Sequence, residues 1–446
     1  MSPVARALAF AALFLFALMP CAGRAEGTPA PVYADWFTDE AMRVDLVHSG
    51  TRGKELFGVD EVAAEPLWPG TRAHLIDPTG YGKYRFRVLD KATGREIFSQ
   101  GYCSLFGEWM TTPEAGAGAW RSMPEPVRFP FPKAPVVLVL EVRGDKTGAF
   151  EEIERLDVDA TAYDVRRERK LSFDVLTLHD GGRPPPTAVD IVIVPDGYTT
   201  DDAIKIEADA RRFTRVLLGH APFDRHAAEI TVRLVMAFSR ESGPDEPRKG
   251  IFRDTVVDTT FDTFRSDRYL TTSNMKALRE VAANAPYDTI IVMVNSNRYG
   301  GGGIFNAFSI FTSDTEYDEY VLVHEFGHGF GALGDEYFDS STGYEEDAFY
   351  VEGVEPWEPN VTAETDREKL KWRDLVPADV PIPTPSSEGY DGKVGVFEGA
   401  GYKAKGLYRP THDSNMFHKG LLPFGPVNER AIETMISYYS DAEAPR

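Results

Sequence analysis

The chain contains very little cysteine. Its 446 residues include two cysteines, Cys21 and Cys103, and Cys21 lies in an N-terminal segment that we expect to be removed. Cys103 then has no partner for an intramolecular disulfide, which excludes a disulfide-stapled architecture. The length allows two or three domains with a sizeable core. The fold therefore has to be stabilised by hydrophobic burial, alone or together with bound metal.

Positive charge is also scarce in this sequence. The chain has 48 lysine and arginine residues against 70 aspartate and glutamate residues, which gives a net charge of −22. This surplus of negative charge disfavours contact with a phosphate backbone, so we expect no nucleic-acid partner. Residues 339–368 are acidic and rich in turn-forming residues. A solvated surface loop is the simpler interpretation of this segment, and a Ca²⁺ site is the alternative.

The sequence has no apolar run after its N-terminus that is long enough to span a membrane. At the N-terminus, Arg6 precedes an uncharged run at 7–19, and the small residues Gly23 and Ala25 follow it. This order is typical of a signal peptide that is cleaved after Ala25. We therefore predict an exported protein, periplasmic or extracellular, with no membrane span in the mature chain. Removal of residues 1–25 deletes two arginines and no acid, so the net charge changes from −22 to −24.

The hydrophobic pattern divides the remaining chain into two parts. Residues 26–165 contain alternating polar and apolar stretches such as 84–90, which predict a β-rich accessory domain of β-sandwich type. Residues 166–187 are predicted to be a linker, because 179–187 combine two glycines with three prolines. In residues 188–446, apolar strands alternate with helical stretches, which predicts a mostly parallel, twisted sheet covered by helices. The predicted class of the whole chain is α+β.

The stretch HEFGHGFGALGDEY begins with two histidines four residues apart. On a helix, His324 and His328 are separated by about 40° around the axis and about 6 Å along it, so they lie on one face. Both imidazoles can then reach one ion at about 2.0–2.1 Å. Glu325 is rotated by about 100° from His324 and can lie beside the ion as a general base. A buried histidine pair on a core helix is the alternative interpretation.

The neighbouring residues favour the metal site. Ser313 and Glu316 have the spacing of a capping box, which predicts that a helix begins there and carries His324 well inside it. Gly331 follows His328 by three residues, where the helix can end in a left-handed turn. A carboxylate just beyond such a turn can come back towards the two histidines.

A catalytic zinc ion usually has three protein ligands and one water. We predict Asp335 as the third ligand and keep Glu336 as the alternative, with His412 and His418 as more distant candidates. Asp335 could instead accept a hydrogen bond from the imidazole N–H of a ligand histidine.

The stretch from His324 to Tyr337 resembles the metzincin pattern HExxHxxGxxH/D. Further along, 414–417 (SNMF) resembles a Met-turn, in which Met416 would lie beneath the metal. Within this clan, the chain resembles the bacterial IgA-peptidase family of secreted zinc metallopeptidases. Two stretches resemble the β domain of that family, YGKYRFRVLD and SLFGEWMTT. Five others resemble its catalytic domain, VPDGYT, YGGGGIFN, EPWEPNVT, FEGAGY and LYRP.

The resemblance implies one catalytic Zn²⁺ bound by His324 and His328, with Glu325 as the catalytic base. The metzincin pattern places the third ligand where this sequence has Gly334, which has no side chain. Coordination by Asp335, one residue later, therefore requires an altered turn.

The resemblance also implies an edge strand that binds an extended substrate through main-chain hydrogen bonds. Residues 304–311 have the corresponding place in the sequence. For Tyr337 and His418, stabilisation of an oxyanion and simple packing remain equal alternatives.

Three functions are compatible with these residues. The first is a secreted zinc endopeptidase, in which Glu325 takes a proton from a zinc-activated water. The second is an exported binding or adhesion module with a structural metal site, and the third is hydrolysis of a non-peptide amide. A structural zinc site normally has four protein ligands and no use for Glu325, which favours the first. We expect a protein or peptide substrate and make no prediction of the oligomeric state.

Overall fold

The structure, a computed structural model, describes residues 29–338 and 346–442. The predicted signal peptide, residues 1–25, lies outside the described residues, as does the beginning of the acidic segment at 339–345. The chain from Pro31 onwards belongs to one compact unit. None of the helices in the described part of the chain combines the length and the apolarity needed to cross a membrane.

The N-terminal part consists of two antiparallel sheets of four strands each. In the first sheet, β2, β5 and β6 all pair with β1, and the order in the second sheet is β4-β3-β7-β8. The strands are β1 (Phe37–Thr51), β2 (Lys54–Glu65), β3 (Tyr84–Asp90), β4 (Glu96–Tyr102), β5 (Arg121–Pro124), β6 (Val127–Pro132), β7 (Val136–Arg143) and β8 (Phe150–Val158). Three short helices accompany them: α1 (Tyr33–Trp36), α2 (Leu105–Trp109) and α3 (Pro113–Gly116).

The two antiparallel sheets share one hydrophobic core. Val44 and Phe129 of the first sheet and Phe86 and Leu138 of the second are buried in it. The predicted strand at 84–90 is confirmed as β3, because every second side chain of this strand points into the core.

The second part of the chain is built on a six-stranded sheet in the order β15-β16-β14-β10-β11-β9. The pairs β16·β14, β14·β10 and β10·β11 are parallel, whereas both edge strands are antiparallel to their neighbours. The strands are β9 (Val175–His179), β10 (Val189–Asp196), β11 (Ile230–Val235), β14 (Thr289–Val294), β15 (Gly301–Ile304) and β16 (Phe308–Thr312). Two shorter pairs are β12 (Thr259–Thr260) with β13 (Thr271–Thr272) and β17 (Phe397–Ala400) with β18 (Lys403–Arg409).

Helices cover both faces of this sheet. Along β10, Ile191 and Ile193 pack in the cluster that contains residues of α4, α6 and α8, whereas Val192 and Val194 pack against α5. The continuous apolar run of β10 is explained by this burial on both faces. The helices are α4 (Ala203–Leu218), α5 (Met275–Ala282), α6 (Asp318–Gly329), α7 (Glu346–Phe349) and α8 (Pro426–Ser440). Separate antiparallel sheets beside a mixed, helix-covered sheet confirm the α+β class.

The N-terminal sheets are bonded directly to the second part of the chain. The backbone N–H of Cys103 donates to the carbonyl oxygen of Phe305 at 2.9 Å, and Asn306 Nδ2 donates to the Gly101 carbonyl at 2.7 Å. Cys103 is a free cysteine, as expected. Strand β9 lies within the predicted linker, 166–187, and forms one edge of the six-stranded sheet. The division of the chain into domains at these boundaries stays a prediction.

The prediction of a single edge strand at 304–311 was wrong. The chain forms a hairpin here, in which β15 is the edge strand and β16 lies inside the sheet. Asn306 stands at the turn with φ 57°, in the left-handed region that asparagine tolerates better than most residues. This turn reverses the chain, so the edge strand is Gly301–Ile304 and not 304–311.

Candidate metal centre

Helix α6 carries both histidines of the HEFGH motif. It begins at Asp318 and not at the predicted capping box, so that prediction was wrong. Ser313 does not cap the helix, which begins five residues later, and its hydroxyl instead accepts a hydrogen bond from Tyr198 at 2.7 Å. The acidic residues Asp318 and Glu319 in the first turn complement the positive end of the helix dipole instead.

The end of helix α6 also differs from the prediction. The left-handed residue is Ala332, with φ 59°, and not Gly331. The N–H of Leu333 donates to the Gly327 carbonyl at 3.1 Å, which closes the turn. Gly331 is needed for close packing, because a Cβ there would lie 2.9 Å from the Ile432 side chain.

The two imidazoles are oriented by backbone carbonyls. His324 Nδ1 donates to the Asn415 carbonyl at 3.0 Å, and His328 Nδ1 donates to the Leu333 carbonyl at 2.6 Å. Since a carbonyl can only accept, Nδ1 carries the proton in each neutral imidazole, and Nε2 then keeps its lone pair. The two Nε2 atoms are 3.2 Å apart. Carbonyls that fix the tautomer in this way are typical partners of metal-ligating histidines.

Asp335 completes a triangle of potential ligand atoms. Its Oδ1 lies 3.2 Å from Nε2 of His324 and 3.2 Å from Nε2 of His328. This oxygen is buried, and it has no hydrogen-bond donor among the residues that the structure describes. Ligand atoms of a tetrahedral zinc site, with bonds of about 2.0–2.1 Å, are about 3.3 Å apart. The two nitrogens and one oxygen therefore fit a zinc ion.

The charges at the centre favour a cation. Burial alone would lower the pKa of His328, but the Asp335 carboxylate outweighs it and raises the pKa to about 9. Burial would likewise raise the pKa of Asp335, but His328 and His324 hold it well below its usual range. Both pKa shifts arise from the attraction between the His328 imidazolium and the Asp335 carboxylate, and the same carboxylate would attract a bound cation.

Glu325 stands beside the triangle. Its carboxylate and the two histidines offer ligand atoms that all lie within 4.8 Å of one another. Burial raises the pKa of the Glu325 carboxyl above its usual range, while His324 and His328 act in the opposite direction. The side chain thus lies close to the centre without belonging to the set of three atoms at 3.2 Å.

The glycines before β16 allow the edge strand to lie directly on helix α6. A Cβ at Gly301 would be 2.7 Å from Oε1 of Glu325, and a Cβ at Gly303 would be 2.7 Å from Cβ of His328. Side chains at these two positions would collide with the centre. Strand β15 therefore borders the site by its backbone alone.

Glu336, the alternative third ligand, is turned away from the histidines. Its carboxylate accepts hydrogen bonds from Ser414 Oγ at 2.5 Å, Asn428 Nδ2 at 2.9 Å and Asn360 Nδ2 at 3.0 Å. It is fully buried, with an exposed fraction of 0%. Three donors thus occupy Glu336, and Asp335 is the carboxylate that faces the histidines.

The structure does not bring the more distant histidines to the triangle. His412 pairs with Asp391 at 2.7 Å, and His418 pairs with Asp413 at 2.7 Å. His418 does line the cleft above the centre, as does Tyr337. Within the described ranges, the only cluster of three His, Cys, Asp or Glu side chains close enough to share an ion is the one at His324.

Met416 lies beneath helix α6. It is fully buried, and a Cβ at Gly327, between the two histidines, would be 3.0 Å from its Sδ. The carbonyl oxygen of Met416 accepts a hydrogen bond from the Glu336 N–H at 2.9 Å. The turn at Met416 is thereby connected to the segment that carries Asp335.

Asn360 fixes the turn that brings Asp335 back to the histidines. Its Oδ1 accepts from the Gly334 N–H at 2.7 Å, and its Nδ2 donates to the Gly334 carbonyl at 2.9 Å. This pair of hydrogen bonds holds the altered turn that coordination by Asp335 would require. Sequence reasoning missed Asn360, and likewise Ser414, Asn428 and Tyr402. Three of the four lie in quoted motifs (EPWEPNVT, SNMF and FEGAGY), but nothing in their spacing indicated a role.

The centre opens into a cleft of about 1070 Å³. Helix α6, strand β15 and the loop after Met416 line one part of it, and Phe305 and Trp357 give it an aromatic wall. Residues of the N-terminal sheets and of helix α2 line the other part, among them Arg52, Lys83 and Glu108. The predicted accessory domain therefore contributes to the cleft.

The fold and the site define an α+β protein with a His/Glu/His candidate metal centre at the base of a large cleft. Comparison with protein families shows that residues 176–390 and 386–436 match IgA Peptidase M64, and residues 32–153 match Peptidase M64 N-terminus. The first model matches more than half of the chain, so the chain belongs to the IgA Peptidase M64 family, and the resemblance is confirmed. This membership supports a peptidase with a protein substrate. No curated protein matches the chain.

Proposed function

We propose that the chain is an exported, zinc-dependent endopeptidase in which Glu325 is the general base. The observation that carries the proposal is the triangle of His324 Nε2, His328 Nε2 and Asp335 Oδ1, with sides of 3.2 Å, next to Glu325. A structural zinc site would be closed by a fourth protein ligand. Here the set of three faces a cleft, which is the arrangement of a catalytic site.

His324, His328 and Asp335 would hold the ion. Zinc bound in such a site acts as a Lewis acid and lowers the pKa of an attacking water to about 7. The Glu325 carboxylate accepts a proton from this water as the water attacks the peptide carbonyl. It then passes the proton to the amine nitrogen that leaves. The backbone carbonyls of Asn415 and Leu333 keep both imidazoles in the tautomer that this chemistry requires.

An extended substrate would lie along β15. Two backbone contacts lie on the outer side of this strand. The Gly301 carbonyl accepts a hydrogen bond from the Leu270 N–H, and just beyond the strand the Phe305 carbonyl accepts one from the Cys103 N–H. Residues 302–304 lie between these two contacts and line the cleft. We propose that main-chain hydrogen bonds to this stretch align the peptide.

The proposal includes a metzincin-like arrangement of the catalytic part, 188–446. An antiparallel edge strand above the helix and a buried methionine, Met416, beneath it support this arrangement. It also includes the β-rich domain at 26–165, and export directed by residues 1–25. Sequencing the N-terminus of the protein recovered outside the cytoplasm tests export, with Glu26 as the expected first residue.

Cleavage of a complex peptide mixture, read by mass spectrometry, tests the function. We expect new termini with the zinc-loaded wild type and a loss of about 10²–10⁴-fold in rate for Glu325→Gln, with zinc retained. Glu319→Gln is the matched control, since this glutamate lies on the same helix and faces Arg212. A zinc-loaded wild type that cleaves nothing would favour the binding-module alternative, and equal rates for Glu325→Gln would exclude the proposed base.

A further inference from the structure

The tip of the β17–β18 hairpin is bonded to the segment that carries the third ligand. The N–H of Gly401 donates to the Asp335 carbonyl at 2.9 Å, and the N–H of Tyr402 donates to the Tyr337 carbonyl at 2.9 Å. In addition, the Tyr402 hydroxyl donates to Oδ2 of Asp335 at 2.5 Å. One hairpin tip thus fixes both the backbone and the side chain of Asp335.

The backbone of this tip is strained. Tyr402 has φ 66°, in the left-handed region that non-glycine residues rarely adopt. The surroundings hold it there, because Lys403 Nζ donates to the Tyr350 carbonyl at 2.7 Å, and Gly401 packs so closely on the Tyr350 ring that a Cβ would be 2.5 Å from it. Strain that is maintained by several neighbours indicates a functional constraint on Tyr402.

The two oxygens of Asp335 therefore have different partners. Oδ1 faces the Nε2 atoms of His324 and His328, and Oδ2 is occupied by the Tyr402 hydroxyl. A carboxylate can bind a metal ion through one oxygen or through both. A second bound oxygen would fill the position that a catalytic site keeps open.

We propose that Tyr402 is a positioning residue that keeps Asp335 a one-oxygen ligand. The inference rests on the metal site of the proposed function and assigns a role to a residue outside the HEFGH segment. The tyrosine hydroxyl stabilises the orientation in which Oδ1 alone points at the histidines. Without it, Oδ2 loses this donor, and Asp335 can offer both oxygens to the ion.

The test compares Tyr402→Phe with the wild type in three measurements. These are the zinc dissociation constant by competition with a chelator, the visible absorption spectrum after cobalt(II) substitution, and the thermal unfolding of the metal-free protein. We expect zinc binding about 10–100-fold weaker, as for other hydrogen-bonding partners of metal ligands. We also expect weaker cobalt absorption, since a higher coordination number reduces it, and unchanged unfolding of the metal-free protein.

Tyr408→Phe is the matched control, because it removes the same oxygen from strand β18 of the same hairpin. An unchanged dissociation constant and an unchanged cobalt spectrum for Tyr402→Phe would overturn this inference and leave the proposed function standing. A lower unfolding temperature of the metal-free variant with an unchanged spectrum would also overturn it, since Tyr402 would then be purely structural. A wild type that binds neither zinc nor cobalt would overturn the proposed function together with the inference.

Discussion

The absent side chain at Gly303 sets the distance between strand β15 and helix α6. A Cβ at this position would be 2.7 Å from Cβ of His328, and it would also meet the carbonyl oxygen of Glu325. Neither neighbour can yield easily, because the Glu325 oxygen belongs to the helix backbone and Cβ of His328 is fixed directly to it. At this position the glycine run is therefore explained by contact with the centre and not by flexibility.

We predict that Gly303→Ala weakens both the fold and the metal site. Overpacking of this kind typically costs about 1–3 kcal/mol, and the displaced helix should move His328 away from Asp335, which lies on the segment after the helix. Denaturant unfolding and zinc content after dialysis measure the two effects. Gly58→Ala is the control, since a Cβ there would meet nothing within 4 Å. Equal stability and zinc content for Gly303→Ala and the wild type would show that β15 does not constrain the centre.

Residues of the centre differ in how far the sequence could predict them. The relative positions of His324, Glu325 and His328 depend only on helix periodicity, which is a local property and can be predicted from the sequence. Asn360 contacts Gly334 from 26 residues away, and Tyr402 contacts Asp335 from 67 residues away. Such contacts are decided by the path of the whole chain, and no local periodicity encodes them.

The ends of helices and strands can likewise be predicted from the sequence where their causes are local, and not where tertiary contacts decide them. Strand β14 coincides with the short apolar run at 289–294, because such a run buried on both faces is a strong local signal. The start of helix α6 at Asp318 departs from the capping-box spacing, and the Ser313 hydroxyl bonds to Tyr198 instead, a tertiary contact that the local sequence does not reveal. At 304–311 the apolar pattern continues through a turn, and Asn306 alone marks the reversal.

Three elements meet at Glu61 of strand β2. Its carboxylate is 3.1 Å from Arg166 and 3.1 Å from Lys170, both after β8, and 3.2 Å from Lys276 of helix α5. Burial alone would raise the pKa of Glu61, but hydrogen bonds from these three cations outweigh it and hold the pKa at about 2. The carboxylate therefore ties a strand of the first sheet to a helix of the second part.

We predict that Glu61→Gln lowers stability in a pH-dependent way. The pKa of the Glu61 carboxyl is lower in the folded protein than in the unfolded chain. Its contribution to the free energy of unfolding is therefore fully present above the unfolded pKa of about 4.5, and it is lost as the pH falls through the folded pKa of about 2. At pH 7 the variant should be less stable by about 1 kcal/mol, the scale of a partly exposed ion pair. Urea unfolding at several pH values between 7 and 3 measures the difference, which should shrink towards the acidic end. A difference that stays constant over this range would mean that packing and not charge is responsible.

At the scale of the whole molecule, the N-terminal sheets and the helix-covered sheet are joined by buried charge. Arg43 of β1 has an exposed fraction of 1% and pairs with Asp45 at 2.8 Å, Glu65 at 3.3 Å and Glu280 of helix α5 at 2.5 Å. Nearby, Arg128 donates to the Tyr287 carbonyl at 2.9 Å. The two predicted domains therefore share contacts that neither could satisfy alone, and pattern analysis of each segment separately could not reveal them.

This shared charge should make the two parts of the chain unfold cooperatively. Arg43→Ala leaves the carboxylates of Asp45, Glu65 and Glu280 buried without their common partner, which should cost about 3–5 kcal/mol. Because Arg43 contacts both parts of the chain, we expect a single unfolding transition whose denaturant midpoint is lower in the variant. Tryptophan fluorescence and far-ultraviolet circular dichroism should both report this same transition. Arg155→Ala, which removes an exposed pair with Glu152 on β8, is the control and should change stability by less than about 1 kcal/mol. Two separate transitions, with only one of them shifted by Arg43→Ala, would show that the N-terminal sheets fold independently of the metal centre that they border.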